Sequence, residues 1–514
     1  MKEIFPILTC EDAWRVESEI LTDEAKNYAA IEAVGAGVAR RFLAECAPQL
    51  PEEPNILVLA GKGHNGADAL SAARRICAKF PGAKLAVALP DAAEMKKLTL
   101  KALEELRNSA ASMREIPLGD IRRQCASNGK AFDLLIEGLT GMNFSPPAKD
   151  FLKECIDAAN SVDAAIKIAM DMPAGISDWR RPDIAFKADI TYSNGIAKAA
   201  IFRDFNREYV GRIRHVDIGF FNFESALEAA RGASEYVAGA KVLKPLLKLR
   251  KALTDKRDYG HLLVVAGSER YPGAALLNVS AALRTGVGIV TALVPKSLAP
   301  SFAAAQPSAI WLGGETDKDG TMRPENVSKI AEMKPPTAIL AGSGLGSSAG
   351  ARKLVAETLK LHADVARVLD ADAICPELAG IGRAADLALT PHAGEFLRIA
   401  PQTSDSELRA ACKKYGASIA LKGPVTSVCG EKSGIVRCVE GGPALSRGGS
   451  GDVLAGICAG LMARQDLGQT TEQKLAMASV WMSMASELLF AKFSENCAPS
   501  SCLPDMMPDA LKNI

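Results

Sequence analysis

The sequence predicts an α/β protein of two consecutive domains, each a parallel sheet between layers of helices. Short apolar strands alternate with helical stretches along the chain, and most of them end in a glycine-bearing loop that opens a helix. The length, 514 residues, suits two to four domains. The alternation breaks once, across residues 221–258, where an Ala-rich helical stretch and a basic run intervene. The expected layout is therefore a domain at 1–222, a linker at 223–240 and a domain at 241–514.

Composition narrows the function classes. The chain is 48% hydrophobic and 24% charged, an ordinary soluble balance with ample core material. Lys and Arg number 61 against 60 Asp and Glu, so the net charge of +1 argues against nucleic acid and against an acidic membrane surface. Any anion site must be local. No apolar run approaches the roughly 20 residues that span a bilayer. The start, Met1 to Leu8, is a short apolar piece followed by Glu11, Asp12 and Glu17, without the basic lead and long apolar core of a signal peptide. The twelve cysteines form no CxxC pair, which points to reduced thiols in a cytoplasm and away from zinc.

In the first half, residues 26–46 read as an amphipathic helix with Ile31, Val34, Val38 and Phe42 on one face. Strands are expected at 55–61, 84–90, 133–139, 164–173 and 188–193. Gly61-Lys62-Gly63-His64-Asn65-Gly66-Ala67-Asp68 leads from the first strand into a helix. It either offers backbone N–H groups to an anion or is a tight turn that needs glycine. Glu137, by itself, reads as a strand-end charge facing water. Asp171, before Met172-Pro173, follows an apolar strand. A carboxylate there suits proton transfer, or merely starts the turn.

In the second half, strands are expected at 262–266, 288–295, 337–342, 366–370, 387–390 and 418–421. Gly342-Ser343-Gly344-Leu345-Gly346 lets a flat ligand lie on the backbone, or is a flexible turn. Asp370 and Asp372 are oxygen ligands suited to magnesium with nucleotide phosphates, or solvated strand-end acids. His392 is one of only five histidines, although a lone His is commonly structural. Lys422-Gly423-Pro424-Val425-Thr426 joins a cation to strand-end backbone, which suits phosphates. In Gly448-Gly449-Ser450-Gly451-Asp452, glycine-rich backbone meets a helix start, an anion-binding arrangement. Asp452 beside an anion is costly unless it takes a proton or positions a hydroxyl or metal; its other reading is an acid stabilising the helix start. The basic run at 244–256 reads as a solvated face.

These motifs carry a resemblance. Residues 442–456 resemble the signature of the ADP- or ATP-dependent NAD(P)H-hydrate dehydratases, of the ribokinase-like superfamily. Leu389-Thr390-Pro391-His392-Ala393-Gly394-Glu395 matches the same family closely, and residues 256–275 are similar to its opening signature. The first half resembles NAD(P)H-hydrate epimerase, with His64, Ala67, Ala69, Glu137 and Ala174 departing from its usual residues. Together the halves resemble the bifunctional nicotinamide nucleotide repair family. That implies a Rossmann-like three-layer αβα domain followed by a ribokinase-like αβα domain.

The resemblance implies epimerisation of R and S hydrates of NAD(P)H, and nucleotide-dependent dehydration of the S-hydrate. It implies substrate contacts at His64, Asn65, Gly66, Ala67, Asp68, Gly141 and Asp171, and in the second half at Ala274, Gly344, His392 and Asp452. Lys422, Gly423, Pro424, Val425, Thr426, Gly449, Ser450 and Gly451 would hold ADP or ATP with Mg2+. Asn65, Glu137 and Ala174, the last through its carbonyl, would hold K+. Asp452 and Asp171 would carry the catalysis, in a homo-oligomer. The competing reading is a ribokinase-like small-molecule kinase of the hydroxyethylthiazole kinase type with a non-catalytic N-terminal binding module. The Thr-Pro-His-Ala-Gly-Glu motif and the attached first half argue against it.

Overall fold

The chain divides into two units, Ile4–Val237 and Ala238–Ile514. The computed structural model describes residues 4–110, 112–123, 131–381, 386–512 and 514.

The first unit holds β1 (Ile4–Leu8), β2 (Asn55–Ala60), β3 (Lys84–Leu89), β4 (Met113–Pro117), β5 (Phe132–Gly138), β6 (Ala164–Met170), β7 (Ile190–Asn194), β8 (Ala197–Lys198) and β9 (Arg212–Val216). Its main sheet has the order β4-β3-β2-β5-β6-β7-β9, with every pair parallel. The order reverses between β2 and β5, which run in register from Ile56↔Leu134 to Ala60↔Gly138. Loops leaving the carboxyl ends of these two strands therefore diverge and leave a crevice. β1 and β8 pair in parallel apart from that sheet.

The five expected strands of this half are β2, β3, β5, β6 and β7. β6 stops at Met170, short of the expected 173, because Asp171 turns to φ 63 and cannot continue the pleat. β4 escaped the sequence reading because Met-Arg-Glu-Ile-Pro is an edge strand that buries only Ile116. The helix Glu24–Glu45 buries Ile31, Val34, Val38 and Phe42 as its periodicity predicts. Asp23 caps it, accepting from the Lys26 amide at 2.8 Å. Residues 223–240, expected as a linker, hold a helix at Glu224–Gly232 and β10 (Glu235–Ala238).

The second unit holds β11 (His261–Val265), β12 (Ile289–Pro295), β13 (Ile310–Gly314), β14 (Ala338–Ala341), β15 (Ala366–Leu369), β16 (Leu387–Leu389), β17 (Ala417–Leu421), β18 (Thr426–Cys429) and β19 (Ile435–Cys438). They run β13-β12-β11-β14-β15-β16-β17-β18-β19, parallel as far as β17 and antiparallel after it. The order reverses between β11 and β14, so the glycine and acid loops after β11, β14, β15, β16 and β17 share one carboxyl edge.

The helix Ser450–Ala463 is the spine of this unit. Its apolar residues are not confined to one face, and every residue from Val453 to Ala463 is buried. It lies against the helix Pro272–Arg284 and against β14 and β15. The two helices nearly touch: a Cβ on Gly456 would stand 2.3 Å from the Asn278 carbonyl oxygen. That contact fixes the start of the spine helix, and with it Asp452, beside Asn278. Among the described residues no helix is long and apolar enough to cross a membrane.

Candidate active sites

In the first unit the crevice opens into a cavity of ≈ 940 Å³. His64, Asn65, Asp68, Gly141 and Asp171, all expected at the site, line it. Gly66 and Ala67 are buried in the first turn of the helix His64–Lys79. Asp171 is 6% exposed. Its Oδ1 accepts from Lys198 Nζ at 2.8 Å and from the Asn194 amide at 3.4 Å. Lys198 is 1% exposed and also donates to the Asn194 carbonyl at 2.9 Å and to Glu17 Oε1 at 3.3 Å. Burial works against the Lys198 charge, but Asp171 and Glu17 outweigh it and hold the ammonium above its ordinary pKa. Burial raises Glu17, with Asp171 adding to it and Lys198 opposing. Burial, then the charges of Asp171 and Glu17, push Asp68 well above the carboxylate range. Burial lowers His64, and Lys96 lowers it further. Three acids thus share one cation around the cavity.

The sequence reading named neither Lys198 nor Glu17 as a site residue. The two stand 181 residues apart, and only the fold joins them. No local pattern marks either one.

Beside the cavity, Glu137 meets Ala174, and Asn65 lies against the Gly138–Thr140 turn that follows Glu137. Glu137 does not face water, correcting the unaided reading; it is 0% exposed. β5 is covered on both faces, so its end turns inward, and Glu137 accepts from the Leu139 amide at 2.6 Å and the Ala174 amide at 3.1 Å. Burial pushes its carboxyl up to about 8 in spite of those amides. Asn65 Nδ2 donates to the Thr140 carbonyl at 2.7 Å, while its buried Oδ1 has no partner. The Ala174 carbonyl already accepts from the Phe186 amide at 2.9 Å.

In the second unit Lys422 is the hub. Its Nζ lies 3.1 Å from Asp370 Oδ1 and 3.7 Å from Glu395 Oε2. A Cβ on Gly451 would stand 3.3 Å from that nitrogen. The ammonium is therefore at the start of the spine helix, although Gly451 and Lys422 come from opposite ends of a β-hairpin and its following loop. Burial opposes its charge, but Asp370, Glu395 and Asp452 hold its pKa above the ordinary value. Asp370 is fully committed: Thr390 Oγ1 donates to Oδ1 at 2.8 Å and Ser343 Oγ to Oδ2 at 2.9 Å. Asp372 accepts from the Gly346 amide at 2.9 Å. Both acids thus tie loops together.

His392 caps the short helix Ala393–Phe396. Its Nδ1 accepts from the amides of Gly394 and Glu395, and its ring is exposed. A bridge between His392 and Lys422 sets the two loops side by side. Gly344 and Ala274 meet across the β11 and β14 loops: a Cβ on Gly344 would be 2.7 Å from that of Ala274. Asn278, one turn beyond Ala274, donates to the Asp452 carbonyl at 2.7 Å. Gly423, Pro424 and Val425 form the turn between β17 and β18, and Thr426 opens β18. Gly449 takes φ 89, the left-handed conformation that lets the loop enter the helix, and the Ser450 hydroxyl donates to the Arg447 carbonyl at 2.9 Å.

The Asp452 carboxyl accepts no hydrogen bond from the described residues, unlike Asp370 and Glu395. Burial, then Asp370, push it up to about 6; Lys422 pulls it down and Glu395 raises it. Glu395, Asn278, Ser343 and Thr390 were not singled out from the sequence as site residues. Glu395 and Thr390 stand inside the Thr-Pro-His-Ala-Gly-Glu motif, so a signal was present for them; none was for Asn278.

Two family models match the chain, one described as NAD(P)H-hydrate dehydratase at residues 262–507 and one as YjeF-related protein N-terminus at residues 28–200. A bifunctional NAD(P)H-hydrate repair enzyme of Thermosynechococcus vestitus is 30% identical over 91% of this chain and 90% of its own. The corresponding enzyme of Gloeobacter violaceus is 30% identical over 91% and 92%. The chain belongs to the bifunctional NAD(P)H-hydrate repair enzymes. Each unit of this repair enzyme carries one of the two family matches. Among solved structures, an ADP/ATP-dependent NAD(P)H-hydrate dehydratase from Bacillus subtilis, co-crystallised with ATP and Mg2+, is similar at 26% identity and TM-score 0.44, covering 54% of this chain and 97% of that one.

Proposed function

We propose that the second unit dehydrates the S-hydrate of NAD(P)H at the expense of ADP or ATP, and that the first unit interconverts the R and S hydrates. The observation that carries the dehydration is the uncommitted Asp452 carboxyl at a helix start, beside the Lys422 ammonium. The hydrate bears a hydroxyl on the carbon next to the ring nitrogen, and hydroxide leaves poorly. Asp452 takes the hydroxyl proton, and the oxygen attacks the terminal phosphorus of the nucleotide. That P–O bond forms as the bond to the bridging oxygen breaks, leaving AMP or ADP. The amides of Gly449–Gly451 and the Lys422 ammonium hold the charge that moves on the phosphoryl oxygens. Phosphate then departs with the C–O pair, pushed by the ring nitrogen. Loss of a proton from the neighbouring carbon restores the double bond.

Magnesium, when bound, would neutralise nucleotide phosphates. Asp370 and Asp372 are engaged inside the protein, so Asp452 is the carboxylate with capacity to spare, which suits an ion held mainly by phosphates and water. In the first unit the residues fit potassium: Asn65 Oδ1 is a buried oxygen without a partner, and the buried Glu137 carboxyl would gain a counter-charge. For epimerisation, Asp171 takes the hydroxyl proton while Asp68, kept protonated, supplies one to the ring nitrogen. The C–N bond opens to an aldehyde and recloses on its other face.

One assay tests the reading. Purified protein with NADH hydrate, Mg2+ and ADP or ATP should regenerate NADH absorbance and release phosphate. A stable phosphorylated product in its place would overturn it.

A further inference from the structure

Asp171 needs a direction as well as a charge to accept a proton from the hydrate, and its own strand supplies neither. The backbone leaves β6 at φ 63, where side-chain-bearing residues are rare, so something outside the strand must hold it. We propose that Lys198, anchored by Glu17, is the positioning residue of the epimerisation site, holding the Asp171 carboxyl in place with one oxygen free toward the cavity. This rests on Asp171 being the base named above.

An ammonium has three donors, and all three of Lys198 are placed: on Asp171 Oδ1 at 2.8 Å, the Asn194 carbonyl at 2.9 Å and Glu17 Oε1 at 3.3 Å. None is left for substrate, so Lys198 acts through Asp171. Both bonds to the Asp171 carboxyl, from Lys198 and from the Asn194 amide, fall on Oδ1; Oδ2 accepts none from the described residues. Oδ2 is the oxygen left to meet the hydroxyl. Glu17, from the helix Cys10–Ile20, gives Lys198 a second carboxylate partner at 3.3 Å, which ties the ammonium to a separate element of the fold. Among the described residues, the charged and titratable groups facing Asp171 are Lys198 on β8, Glu17 and Cys10 on the helix Cys10–Ile20, and Asp68 on the helix His64–Lys79. Lys198 is the sole cation among them. Without it, three carboxyls would face one another.

The test follows hydrate-epimer exchange by chromatography, from about pH 5 to 9, in the full chain and in Lys198→Met, Lys198→Arg and Glu17→Gln. Lys198→Met should lower kcat at neutral pH by about 100-fold with little change in KM, and move the acid limb to higher pH by about one unit or more. Added methylammonium should restore part of the rate. Lys198→Arg should keep the acid limb in place, and Glu17→Gln should blur it less than Lys198→Met does. A wild-type limb and kcat in Lys198→Met overturns the proposal. A raised KM with an unmoved limb does so too, because it puts Lys198 on the substrate. If Lys198→Met fails to fold, an unaltered kcat and limb in Glu17→Gln overturns it. No exchange in the wild-type protein would instead sink the epimerase reading.

Discussion

Asp452→Asn separates a catalytic carboxylate from one that merely stabilises a helix start. The folded protein holds this carboxyl at about 6 against an ordinary 3.8. That difference corresponds to ~3 kcal/mol, and solvent screening at a partly exposed position reduces it to ~1–2 kcal/mol. The sign follows from linkage. The folded value lies above the unfolded one, so the fold takes up the proton first. Stability from this group is greatest below the unfolded value, falls as pH rises through about 6, and stays low above it. Asn carries no such penalty. The variant should therefore melt higher than the wild type at alkaline pH, by about 2–8 °C for the second unit's transition, and alike at strongly acid pH. Dehydration should fall by 10²-fold or more, to about the level of an unassisted hydroxyl. Wild-type activity itself should drop about tenfold from pH 7 to pH 5, as ionised Asp452 goes from roughly nine-tenths to one-tenth. Scanning calorimetry and the absorbance assay read both effects. If Asp452→Asn melts lower at alkaline pH, the acid is serving the helix dipole and is not a base.

Other substitutions test other contacts. Asp171→Asn should abolish epimer exchange and leave dehydration of the S-hydrate intact; loss of both activities would mean a wrong site or a misfolded chain. Gly456→Ala should destabilise the second unit by about 1–3 kcal/mol, because its Cβ would meet the Asn278 carbonyl oxygen at 2.3 Å. An unchanged melting profile would show the helices to be less tightly apposed. Glu137, at about 8 in the fold against an ordinary 4.5, costs the first unit stability as pH rises through about 8. Glu137→Gln should flatten that slope in pH-dependent melting. Potassium should raise the melting temperature of the first unit in the wild type more than in Glu137→Gln, and an equal response would remove Glu137 from the ion site.

The placement of the candidate loops was legible along the chain. The loops holding His64 to Asp68, Asp171, Gly344, His392, Lys422 and Asp452 could be found because glycine-rich backbone at strand ends is a local pattern, and in a parallel sheet those ends lie on one side. The fates of the acids were not legible. Asp370 and Asp372 look as available as Asp452 in the sequence, yet Ser343, Thr390 and Gly346 occupy them in the fold. Glu137 reads as a surface charge and is buried.

The sequence by itself determined the element alternation, the two-unit plan and the motif loops, since each depends on residues close together in the chain. Only the tertiary structure decided which carboxyls are spent and which are free, and which cation serves them. A carboxyl's reach is set by neighbours within a few ångströms, and for Asp171 those are Lys198 and, through it, Glu17. Their separation of 181 residues is closed by folding alone.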